Sequence, residues 1–70
     1  MDREEWVQQF CRQIGVDPPS AEEIEALLEL AATAAHSSER PAAPLACWAA
    51  GRSGLAASEL QEIAERISPQ

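Results

Sequence analysis

The sequence predicts an all-α fold, a compact single domain of four helices. Three observations carry that expectation. Apolar residues recur three and four positions apart through four segments. Aspartate or serine stands three residues before glutamate or glutamine near the start of three of them, the spacing of a reciprocal capping pair. Prolines and glycines cut the segments from one another. No stretch alternates apolar and polar residues for long, and β-branched residues are scarce, so no strand is expected.

The first helix is expected near residues 3–14. Asp2 and Glu5 have the capping-pair spacing, and Trp6, Val7, Phe10, Cys11 and Ile14 share one face. Gly15 suits the left-handed residue that ends a helix, and "DPP" at 17–19 forbids continuation. The second helix, near 21–37, opens on the Ser20/Glu23 pair. Its stripe of Ile24, Leu27, Leu28, Ala31, Ala34 and Ala35, with Leu30 beside it, is broad enough to be contacted from two sides, which makes it the central element.

Pro41 should force Arg40 into an extended conformation. Either Pro41 or Pro44 suits the first turn of a short third helix near 42–51. Leu45, Trp48 and Ala49 are expected to face inward, and Gly51 and Gly54 to stop the helix. A Ser58/Gln61 pair should open the fourth helix, near 58–68, whose stripe is Leu60, Ile63, Ala64 and Ile67. The last residues are read as a tail. Gly15, Pro41, Pro44 and Gly51 are thus the expected structural turns.

A chain of 70 residues makes one small domain with a thin stability margin. Apolar residues supply 46% of it, but much of that is alanine, so close helix approach rather than bulk must hold the structure. The net charge of −7 and the absence of lysine argue against nucleic acid and against anionic membranes as partners. No apolar run approaches the roughly 20 residues of a membrane span, and the acidic start "MDREEW" is unlike a signal peptide. A cytoplasmic location is expected, with Cys11 and Cys47 reduced and packed as small core side chains. The acidity is largely structural: Asp2, Glu4, Glu5, Glu22, Glu23 and Glu59 fall in first turns, and Arg12 and Arg66 in last turns, as the helix dipole favours.

Reactive chemistry finds little support. Cys11, His36 and Cys47 are the soft metal ligands, and their spacing matches no zinc motif. His36 beside Ser37 and Ser38 does not make a triad, since sequence neighbours rarely share a productive geometry. No phosphate loop or dinucleotide fingerprint is present. The expectation is no enzyme, no metal and no cofactor.

One stretch invites a functional reading. "AAHSSERPAAP", residues 34–44, holds the single histidine and an arginine against a proline. In one reading His36 caps the second helix, Arg40 pairs with a carboxylate or stacks on a tryptophan, and the prolines set an interhelix angle. In the other, His36 and Arg40, with Trp48 nearby, present donors and an aromatic anchor to a partner or an anionic ligand.

A resemblance rests on these residues. Trp6, Cys11, Ile14 and Gly15, then Ala34 to His36, then "RPAAPL" from Arg40 to Leu45, then Gly51 follow one another as in a family of small bacterial all-helical domains of unknown function. The likeness spans nearly the whole chain, although Ser37 and Ser38 stand where that family usually has a glycine. Members occur alone or fused behind domains resembling molybdenum-cofactor guanylyltransferase. Others are encoded near molybdopterin-dependent formate dehydrogenases. The resemblance implies a role beside molybdenum-cofactor maturation or insertion. With the lack of catalytic constellations, the leading expectation is a non-enzymatic accessory or protein-interaction module associated with molybdenum-cofactor biosynthesis or molybdopterin-dependent enzymes. Its partner would be a protein of that pathway, and the chain itself a monomer or weak homodimer. Two alternatives stay open: an anionic-ligand site at the joint of His36, Arg40 and Trp48, and a purely structural dimerisation unit.

Overall fold

The computed structural model describes residues 1–67. They form four helices in the expected order: α1 (Arg3–Ile14), α2 (Ala21–Ser37), α3 (Ala42–Ser53) and α4 (Ala57–Arg66). The fold is all-α, and no strand is present among the described residues. The expected last residue of the fourth helix, 68, and the tail lie outside them.

The first two helix starts follow the sequence. The Asp2 carboxylate accepts from the Glu5 amide at 2.8 Å, and Ser20 Oγ accepts from the Glu23 amide at 3.1 Å. Glu5 and Glu23 each return a bond to the amide of their cap residue. Gly15 ends α1 at φ 78°, and the Val16 amide donates to the Cys11 carbonyl at 2.9 Å. That bond satisfies an otherwise orphaned carbonyl of the last turn.

Between α2 and α3 the chain does not extend. The amides of Ala42 and Ala43 donate to the carbonyls of Glu39 and Arg40 at 2.9 and 3.0 Å, so Arg40 sits inside a hydrogen-bonded turn. Both prolines serve the start of α3. Pro41 is its cap, and Pro44 lies in the first turn, where a missing N–H costs nothing.

Gly51 is not a turn. α3 runs through it to Ser53, and Gly54, at φ 72°, takes the left-handed position. Ser53 fixes that end: its hydroxyl donates to the Ala50 carbonyl at 2.8 Å and accepts from the Leu55 amide at 3.1 Å. The Ser58/Gln61 pair does not form either. Ala56 caps α4 without a side-chain bond. Gln61 instead donates to Thr33 Oγ1 on α2 at 2.9 Å and to Glu65 at 3.0 Å, so a tertiary bond to α2 takes the place of the local cap.

α2 is central, as its broad stripe implied: it packs along both α3 and α4. Among the described residues the buried ones are Cys11, Leu30 and Ala50, so Leu30, not the stripe beside it, is the inner side chain of α2. Ala43, Ala46, Cys47 and Ala50 turn α3's small-residue side toward α2, with the Cys47 thiol 3.9 Å from the Leu27 carbonyl. The expectation that Leu45, Trp48 and Ala49 face inward is overturned, because all three are exposed. Close approach selects the alanine side of the helix and leaves the bulky side outside. α1 departs similarly: Cys11 is buried and Val7 half-buried, while Trp6, Phe10 and Ile14 stand in water. Both cysteines are free thiols, Cys11 buried and Cys47 half-buried.

Candidate functional site

Two apolar faces and a cleft between α1 and α2 are features able to hold a partner. The first face lies on α1. Trp6 and Phe10, one turn apart, stack with centroids 5.2 Å apart and planes inclined by 16°, and they are 56% and 49% exposed. The second lies on α3, where Leu45 and Trp48 are 68% and 66% exposed. The Arg52 guanidinium lies over the Trp48 ring, 4.9 Å from its centroid, a cation–π contact that holds the indole outward.

The cleft opens between α1 and α2. Val7 of α1 and Ile24, Leu27 and Leu28 of α2 line it, Pro18 and Pro19 close one end, and it encloses about 230 Å³. Arg3, Glu4 and Gln8 supply its polar rim. Arg3 Nε donates to Glu4 Oε1 at 2.7 Å, and that hydrogen bond raises the Arg3 pKa further. Arginine is protonated in any case, so the pair orders the rim without adding acid–base chemistry. Nearby, the Ser20 backbone N–H and then its hydroxyl hold the Glu23 carboxyl below the usual range.

The joint at residues 36–48 does not assemble in the way the sequence suggested to us. His36 is exposed in the last turn of α2, where a cap would stand, but among the described residues its ring makes no hydrogen bond. Arg40 is exposed and, among the described residues, has no ion pair. The arginine that stacks on Trp48 is Arg52. Neither the α1–α2 cleft nor three others among the described residues are lined by His36, Arg40 or Trp48. Gly15, Pro41 and Pro44 occupy turn or capping positions, and Gly51 does not.

Among the described residues, no group of three histidine, cysteine or carboxylate side chains is placed to hold a metal ion. No helix among them is long and apolar enough to cross a membrane.

The profile of a family described as a domain of unknown function, DUF6457, matches residues 1–69. The chain belongs to the DUF6457 family. No curated protein and no solved structure matches the chain.

The parts of this DUF6457 domain that sequence reasoning missed are the Trp6–Phe10 stack, the Arg52–Trp48 contact and the α1–α2 cleft. A signal for the second was present: Leu45, Trp48 and Arg52 recur at helical spacing opposite an all-small stripe on the same helix. The cleft had none, because it depends on how far α1 stands from α2.

Proposed function

We propose that this chain is a non-enzymatic protein-interaction module that seats an apolar anchor of a partner protein in the α1–α2 cleft. The partner we propose is a protein of the molybdenum-cofactor pathway or a molybdopterin-dependent enzyme, a context that rests on the family resemblance of Trp6, Ala34 to His36, and Arg40 to Leu45.

The observation that carries the reading is the cleft itself. Its volume of about 230 Å³ falls below the roughly 300–1,000 Å³ of small-molecule sites, which favours one or two inserted side chains over a cofactor-sized ligand. Its walls are aliphatic and proline, and its polar groups stand at the rim, the arrangement of an interface anchor site. The prolines reduce the entropy lost when a partner fixes the joint.

The test is affinity capture from the native host with the wild-type chain and with Leu28→Gln, the captured proteins being identified by mass spectrometry. Leu28 lines the cleft and is half-exposed, so the change alters the cleft while leaving the packing of α2 on α3 and α4 in place. A molybdenum-cofactor pathway protein recovered by the wild type and at least tenfold depleted with Leu28→Gln is the expected outcome. Recovery of none, or equal recovery with both, overturns the reading.

A further inference from the structure

We propose that this chain forms a two-fold symmetric homodimer in which the Trp6–Phe10 face of α1 in each copy covers the Leu45–Trp48 face of α3 in the other. Neither face lines the α1–α2 cleft, so the inference stands apart from the function proposed above.

Surface area is the first argument. The chain exposes 5596 Å². A self-sufficient monomer of 7.6 kDa is expected to expose about 4,300 Å². The excess of about 1,300 Å² exceeds the roughly 800 Å² per partner of a standard interface. Twice that excess falls within the roughly 2,000–5,000 Å² of obligate homodimers. The exposed aromatic and leucine side chains of α1 and α3 are the residue types that fill the core of such interfaces.

Charge distribution points the same way. From Arg40 to Ser58 the chain carries no acidic residue and two arginines, Arg40 and Arg52. All twelve acidic residues lie elsewhere, and Asp2 and Glu5 precede Trp6, with Arg3 and its partner Glu4 between them turned to the cleft. The α3 face is therefore apolar with a guanidinium toward either end. The α1 face is aromatic with carboxylates at its start. Among the described residues the one ion pair joins Arg3 to Glu4, and Arg40 and Arg52 have no carboxylate partner among them.

The choice of occupant follows from that complementarity. Both halves of the match are present in one chain, and a two-fold axis makes the contact twice, so no apolar half is left bare. A different protein covering the α3 face would leave the Trp6–Phe10 stack in water. α1 is also free to take part. The strong helix packing runs between α2 and α3 and between α2 and α4, and α1 has no comparable contact.

The experiment is sedimentation of the full chain from about 1 to about 200 µM, the range over which mass action separates a monomer from a dimer. The expected mass is twice 7.6 kDa. Trp6→Glu and Trp48→Glu are each expected to sediment as monomers with the wild-type helical circular dichroism. Mixing the two restores one of the two contacts and is expected to give a heterodimer. A wild-type mass of 7.6 kDa throughout overturns the dimer without needing any variant to fold, and it leaves the capture experiment untouched. A dimer that survives both substitutions overturns this interface, as does a mixture that stays monomeric.

Discussion

Ser20 carries more of the fold than its size implies. Its hydroxyl accepts from the Glu23 amide, and its own amide donates to the Glu23 carboxylate at 2.8 Å, so two orphan donors of α2's first turn are satisfied together. Ser20→Ala is expected to cost about 1 kcal/mol, read as a lower urea midpoint. The Glu23 carboxyl is depressed in the folded chain, chiefly by the Ser20 backbone N–H. A depressed carboxyl contributes stability above its unfolded value, and that stability is lost as pH falls through the folded one. Glu23→Gln should therefore lose less stability than wild type on acidification below the usual glutamate range, when urea midpoints are compared at neutral and acid pH. The first two capping pairs were legible in the sequence because both partners lie three residues apart with no competitor. The Ser58/Gln61 pair was not, since Thr33, distant in sequence, offers Gln61 a tertiary bond.

At the scale of the element, α3 separates two glycines that look alike in sequence. A Cβ at Gly51 would meet nothing within 4 Å, and the residue lies within the helix. Gly51→Ala should stabilise by about 0.5–1 kcal/mol through helix propensity. Gly54 holds φ 72°, and Gly54→Ala should destabilise by about 1 kcal/mol. Opposite shifts of the thermal midpoint check the pair. The stop was expected at both glycines and near 51 because Gly51 directly follows the apolar run, whereas the deciding group is the Ser53 hydroxyl before Gly54. The inward face of α3 was misassigned for a related reason. Ala43–Cys47–Ala50 and Leu45–Trp48–Arg52 are both helical stripes, and bulk suggested the wrong one. Periodicity locates a helix; which stripe is buried depends on how closely its neighbour approaches.

For the molecule as a whole, the all-α class, the four helices and the central place of α2 were readable from spacing and caps alone. How α1 stands was not, because its aromatics read equally well as core. α2, α3 and α4 hold one another, whereas α1 borders an open cleft. In dilute solution the α1 amides should exchange with solvent faster than those in the middle of α2, and at high concentration the dimer should slow α1 selectively. Hydrogen exchange followed by mass spectrometry across a dilution series checks both. Trp6 and Trp48 have a consequence of their own. They are the chain's two indoles, it has no tyrosine, and both indoles are more than half exposed in the single chain. Its intrinsic fluorescence is therefore a built-in gauge of docking: a second surface that covers either indole should shift the emission toward the blue.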